Sequence, residues 1–247
     1  GTYLAVASYA SPYVLIYKRA GDTFTKLTDP DIFPTSMSRS CSFTSDGMYL
    51  ALGHTGTPYI TIYKRDGDTF TKLANPSVLP SNAGYGCSFT PDGTYLAVAS
   101  YASPYVLIYK RTGDTFIKLA NPSVLPTGVG YSCSFTSDGS YLAVGHVNPP
   151  VITIYKRDGD TFTELVNTNG LPSGTGNGCS FTPDGKYLAV GYNSQPYLAI
   201  YKMDTAAAKL ESLDEISESL SIGYALQSGD SGDRIRAMQI LPQEESQ

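Results

Sequence analysis

Two histidines and four cysteines are the side chains of this sequence best suited to nucleophilic, acid–base or metal chemistry, so their spacing is the first test of function. His54 and His146 belong to no His-Glu-x-x-His pair or other spacing that would bring two ligands to one metal. Cys41, Cys87, Cys133 and Cys179 recur every 46 residues, one in each copy of Cys-Ser-Phe-Thr. Strand alternation puts Cys and Phe on one side and Ser and Thr on the other, so the thiols are expected as small buried hydrophobes, without disulfides or a metal ring. Asp46, Asp92, Asp138 and Asp184 each precede a glycine, and a tight turn accounts for a carboxylate there without catalysis. No Gly-x-Ser-x-Gly, Gly-x-x-x-x-Gly-Lys or Gly-x-Gly-x-x-Gly motif occurs. These residues predict no enzyme, no metal and no cofactor.

The elements that place them are copies of one unit. Tyr-Leu-Ala begins at Tyr3, Tyr49, Tyr95, Tyr141 and Tyr187, and Ile-Tyr-Lys at Ile16, Ile62, Ile108, Ile154 and Ile200, each series stepping by 46 residues. Within a unit the pattern predicts four short strands, at Cys87–Thr90, Tyr95–Ala99, Tyr105–Lys110 and Thr115–Leu119 in the third copy. Asp92-Gly93 suits the hairpin turn between the first two, and Arg111–Asp114 makes the last turn. A loop over 120–132, with Pro122, Pro126, Gly128 and Gly130, leads to the next unit. Four-stranded units of this length in series predict a β-propeller, each sheet burying its faces on its neighbours.

Cys-Ser-Phe-Thr-Pro-Asp-Gly-Thr-Tyr-Leu-Ala-Val (Cys87–Val98) resembles the Phe-Ser-Pro-Asp-Gly-Lys-x-Leu-Ala motif of WD-like propellers of the YVTN and TolB kind, over residues 1–203. The resemblance implies the propeller fold and leaves function open, because such propellers serve as enzymes, scaffolds and lectins. The Trp-Asp pair of true WD repeats is absent, there being no Trp.

The expected fold is all-β: a propeller of about five 46-residue blades over 1–203, both terminal blades incomplete, with a helix and small hairpin over 204–247. Gly1-Thr2-Tyr3 aligns with Gly93-Thr94-Tyr95, so the first blade lacks its first strand and five blades is read as a lower bound, the sequence being a fragment or cleavage product of a longer propeller. Asp204 or Thr205 could cap a helix reaching about Leu220, with Ala206, Leu210, Leu213, Ile216 and Leu220 spaced by 3 or 4. That helix would pack on the propeller or serve as an oligomerising element. Ser221–Gln227 and Arg234–Leu241 read as a hairpin. The phrase from Ile222 to Ile235 resembles the Gly-x-Ala-Leu … Gly-Asp-x-Ile element of phage capsid-decoration proteins, which implies a virion setting.

Charge and composition narrow the partners. Residues 1–203 carry 14 Lys/Arg against 13 Asp/Glu, and 204–247 carry 3 against 9, so the net −5 lies in the tail. With no basic block and no apolar run near the roughly 20 residues of a membrane helix, neither nucleic acid nor membrane insertion is expected. Variation between units gathers in the loop after Tyr-Leu-Ala-Val and in the interblade loop, which emerge on the same side of an up-and-down blade. That face carries Tyr9, His54, Tyr85, Tyr101, Tyr131, His146 and Tyr192, with Ser-Tyr on odd blades and Gly-His on even ones, and is the candidate ligand-binding face. The leading expectation is a non-enzymatic binding module of a phage particle. Its face would bind a cell-surface glycan or protein, and its tail a capsid or tail protein or a second copy. A cytoplasmic WD-like scaffold is the second reading, and a propeller hydrolase or lactonase the third.

Overall fold

A computed structural model describes residues 1–165, 174–195, 197–204 and 209–212. The chain alternates short strands and tight turns into five antiparallel sheets. The first has three strands, β1 (Tyr3–Ala7), β2 (Val14–Ala20) and β3 (Thr23–Lys26). The second holds β4 (Ser38–Phe43), β5 (Tyr49–His54), β6 (Ile60–Asp66) and β7 (Thr69–Lys72), and the third β8 (Gly84–Phe89), β9 (Tyr95–Ser100), β10 (Val106–Thr112) and β11 (Thr115–Lys118). The fourth holds β12 (Gly130–Phe135), β13 (Tyr141–His146), β14 (Ile152–Asp158) and β15 (Thr161–Glu164), and the fifth β16 (Gly176–Phe181), β17 (Tyr187–Tyr192), β18 (Leu198–Asp204) and β19 (Lys209–Ser212). Each sheet pairs its strands in sequence order, as a propeller blade does.

The last blade corrects the sequence reading. It is four-stranded, and where a helix was expected Lys209–Ser212 pairs with β18 through Met203↔Leu210 and Asp204↔Lys209. The equivalent hairpin of the fourth blade pairs Asp158↔Thr161. Two extra residues in the final turn shift the strand out of the 46-residue step and hide it, while the 3-to-4 apolar spacing imitates a helix. The compact propeller unit therefore runs to Ser212, past the expected boundary at 203. The rest of the expected helix and the hairpin of Ser221–Leu241 lie outside the described residues.

The innermost strands β4, β8, β12 and β16 lie side by side. Such closeness needs small residues: a Cβ on Gly86 would sit 2.8 Å from the Ser132 Cα of the next blade. The Ser of Cys-Ser-Phe-Thr joins these strands, Ser42 Oγ accepting from Phe89 N–H (3.1 Å) and Ser88 Oγ from Phe135 N–H (3.2 Å). Each Cys Sγ meets an Ala carbonyl of the preceding blade, Cys41 with Ala5 (3.3 Å) and Cys87 with Ala51 (3.4 Å). The thiols are free, and burial pushes Cys87 up to about 12 and Cys179 to about 11. They are structural and weakly nucleophilic.

At the opposite end of the blades one clamp repeats. Tyr3 Oη donates to Asp68 Oδ1 (2.7 Å) and Lys18 Nζ to Asp68 Oδ2 (2.8 Å), while the Arg65 guanidinium lies 4.5 Å over the Tyr3 ring and Phe70 meets its edge. Tyr49 and Lys64 meet Asp114, Arg111 and Phe116 in the same way, as Tyr95 and Lys110 meet Asp160, Arg157 and Phe162. The Lys18 hydrogen bond, then the Tyr3 one, holds the Asp68 carboxyl below its ordinary range. Invariance of the Gly-Asp-Thr turn thus belongs to the blade joint as much as to the turn.

Candidate functional site

The other end of the blades carries the variable loops, and they do converge. Tyr101 N–H donates to Ala83 O (2.9 Å) and Val147 N–H to Val129 O (3.0 Å), tying the β9–β10 and β13–β14 loops to the interblade segments before β8 and β12. Part of the interblade loop over 166–178 lies outside the described residues.

Each innermost strand is irregular at one residue on this side. Ser38 pairs with His54 and Ser40 with Gly53, so Arg39 is the extra residue of a bulge. Tyr85, Tyr131 and Asn177 occupy the same bulge in β8, β12 and β16. A bulge frees a side chain from the alternation of the strand and re-aims it. In β8 the glycine before it is required by closeness, since a Cβ on Gly84 would lie 2.5 Å from Tyr59 O, whereas β4 carries Ser38 there. Tyr59 itself stands at φ 69, a left-handed conformation uncommon for a bulky residue and here fixed by His54 N–H on its carbonyl (3.0 Å).

Three of these bulge residues, Arg39, Tyr85 and Tyr131, meet across neighbouring innermost strands. The Arg39 guanidinium carbon lies 4.9 Å from the Tyr85 ring centroid and 5.3 Å from that of Tyr9, and Arg39 Nη1 donates to Tyr9 Oη (3.3 Å). Tyr85 stacks on Tyr131 at 5.3 Å with 3° between the planes, and meets Tyr101 edge-on at 5.8 Å. Tyr9, Arg39, Tyr85, Tyr101 and Tyr131 form one continuous cluster over four blades. Tyr9 is 59% and Tyr101 47% exposed, so its outer surface meets solvent. Burial pushes the Tyr85 phenol up, which keeps it a neutral hydrogen-bonding group.

Of the seven residues expected on the face, Tyr9, Tyr85, Tyr101 and Tyr131 come together and three do not. His54 and His146 are fully buried, and Tyr192 is buried in the core with Leu188, Val190 and Tyr201. The reason is register: all three pair with the residue just before a bulge and point between blades. His54 Nε2 meets Thr61 Oγ1 (3.0 Å) and His146 Nε2 meets Thr153 Oγ1 (2.8 Å). Odd blade three has Ser100 and Leu107 at those positions, so the odd–even alternation there is a packing exchange of His with Thr for Ser with Leu. Desolvation pushes His54 down to about 4 and His146 in the same direction. Arg39 was missed among the tyrosines, although it stands 46 residues before Tyr85. Among the described residues no group of three or more His, Cys, Asp or Glu could hold a metal ion, and no helix is long and apolar enough to cross a membrane.

No protein-family model and no curated protein matches the chain. Solved structures do. A "putative 6-phosphogluconolactonase" from Bacteroides uniformis matches with a TM-score of 0.65 at 18% identity, over 87% of this chain and 67% of its own. A protein of the same name from Bacteroides fragilis matches with a TM-score of 0.64 at 18% identity over the same shares. Hydrazine synthase of Kuenenia stuttgartiensis matches with a TM-score of 0.53 at 16% identity, over 71% of this chain and 48% of its own. At these identities the likeness is one of fold, a β-propeller, and the chain spans about two thirds of the length of the first two. The expectation of a non-enzymatic virion module is overturned: the two Bacteroides structures, matched over 87% of the chain, carry an enzyme name. The Ile222–Ile235 phrase behind that expectation lies outside the described residues. The fold is one that serves in proteins named as enzymes.

Proposed function

We propose that the chain is the ligand-binding portion of a lactonase-like propeller and that the Arg39–tyrosine cluster holds a small anionic sugar derivative, such as a phosphorylated sugar acid or its lactone. The observation that carries this reading is the Arg39 guanidinium between the Tyr9 and Tyr85 rings, a cation beside flat apolar faces. A phosphate or carboxylate accepts paired hydrogen bonds from a guanidinium, and the C–H face of a sugar packs on a phenol ring. The phenol hydroxyls of Tyr9 and Tyr101 supply directional contacts to sugar hydroxyls. For a lactone, the same cation would stabilise the negative charge that develops on the carbonyl oxygen as water attacks, before the ring C–O bond breaks. The propeller likeness to proteins named for 6-phosphogluconolactone supports the substrate class.

The test is calorimetric titration of the full chain with 6-phosphogluconate, beside acid release from 6-phosphogluconolactone. Binding that weakens tenfold or more in Arg39→Ala, at unchanged melting temperature, is the expected result. No heat at millimolar ligand and no hydrolysis above buffer would overturn the proposal.

A further inference from the structure

We propose that Asn177 is a site of spontaneous covalent modification, converting with age to aspartate and isoaspartate and so placing a carboxylate in the series of bulge residues that includes Arg39, Tyr85 and Tyr131. This is independent of the ligand proposal.

An asparagine amide is lost when the backbone nitrogen of the next residue attacks its side-chain carbon. Hydroxide takes the proton from that N–H, the nitrogen bonds to Cγ, and the Cγ–Nδ2 bond breaks to release ammonia. A five-membered succinimide remains. Water then opens it at Cγ to leave aspartate, or at the main-chain carbonyl carbon to leave isoaspartate, in which the chain runs through the side chain. Each conversion takes up one water and releases one ammonia, with no oxidant or reductant. The next residue must therefore carry an N–H, its side chain must not crowd the closing ring, and the amide must be free to turn toward the backbone.

Asn177 is where the described residues meet all three conditions. Asn75, Asn121 and Asn148 precede proline, which has no N–H. Asn82 and Asn193 precede Ala83 and Ser194, whose Cβ stands beside the attacking nitrogen, and Asn193 Oδ1 also accepts from Thr175 N–H (2.8 Å). Asn177 precedes Gly178, and even the position where a Cβ would stand there has no atom within 4 Å. The Asn177 side chain is exposed and has no hydrogen-bond partner among the described residues. It is also the extra residue of the β16 bulge, since Gly176 pairs with Tyr192 and Gly178 with Gly191. A bulge already carries one residue more than its partner strand, so the added main-chain atom of isoaspartate falls where the ladder is interrupted. Arg39, Tyr85 and Tyr131 hold the same position in the other innermost strands and carry no amide, so of these four bulges only that of the fifth blade is marked.

The test is tandem mass spectrometry of the full chain after incubation at pH 6 and pH 9, folded and in urea. Fragmentation separates Asn177 from Asn167 and Asn169, which share its tryptic peptide, and an isoaspartate methyltransferase measures the isoaspartate formed. In the folded chain Asn177 should convert tenfold or more faster than Asn82 or Asn193, faster at the higher pH, and at a rate within tenfold of its own rate in urea. Gly178→Ala should slow the conversion tenfold or more while leaving the urea midpoint unchanged. An Asn177 that converts in urea yet stays intact in the folded chain would overturn the proposal, because the fold would then block ring closure. So would a folded Gly178→Ala chain that converts as fast as the original. Should that variant not fold, the comparison of Asn177 with Asn82 and Asn193 in the original chain decides, and equal rates refute the proposal.

Discussion

Lowering the pH from 7.5 to 5.0 should cost the propeller about 2 kcal/mol through His54 alone. The imidazole is fully buried against Thr61, and desolvation takes it from 6.5 down to about 4. In the unfolded chain it regains its ordinary value, so between those limits the unfolded state binds a proton that the folded state refuses. Stability is therefore complete above about pH 7, falls as pH drops through 6.5, and levels off below 4. The full difference of about 2.5 pH units is worth about 3 kcal/mol, of which about 2 are lost by pH 5.0. The assay is urea unfolding followed by far-ultraviolet circular dichroism at both pH values, for the native sequence and for His54→Gln. The amide fills part of the imidazole site and does not titrate, and carboxylates common to both proteins cancel in the comparison. His54→Gln should be less stable at pH 7.5 and lose about 2 kcal/mol less on acidification. Parallel losses, within about 0.5 kcal/mol, would refute the claim that His54 is neutral and shielded in the fold.

Gly86→Ala should destabilise by about 1–3 kcal/mol, because the new Cβ would meet backbone at Ser132. Gly178→Ala, at the equivalent site with nothing within 4 Å, should change urea stability by less than about 0.5 kcal/mol. Phe70→Ala should cost about 3–5 kcal/mol, its ring being buried against Tyr3 and Phe43, whereas Phe24→Ala at the half-exposed equivalent should cost under about 1 kcal/mol. The four free thiols should react with a disulfide reagent at pH 8 only on unfolding, and rapid native labelling of Cys87 would contradict its burial.

Much of the architecture is legible because one unit recurs with so little change. Tyr-Leu-Ala, Ile-Tyr-Lys and the two glycine turns fix strand order and sheet size within a blade. What joins blades was visible only as invariance. Asp68 reads as a turn residue until its carboxylate is found between Tyr3 and Lys18 of the preceding blade. The ligand face was half legible. Tyr85 and Tyr131 were read as loop aromatics, but a single-residue bulge, which no residue type announces, sets which of two neighbouring positions faces outward. That is why His54 and Tyr192 were placed on the surface and Arg39 overlooked. The last strand escaped because its turn departs from the period by two residues and leaves Leu210 where other blades carry Phe.

The bulge also separates folding from recognition. Arg39, Tyr85, Tyr131 and Asn177 stand outside the ladder pairing that fixes their neighbours, and the backbone around them is the same whichever side chain is present. Four sites can therefore change at little risk to the ladder, as the Arg, Tyr, Tyr and Asn already found there illustrate, with Arg39, Tyr85 and Tyr131 coupled through their contacts. Randomising these four codons together should yield a library in which most members fold and binding preference is the trait that diverges, so new specificities lie a few substitutions from the present one.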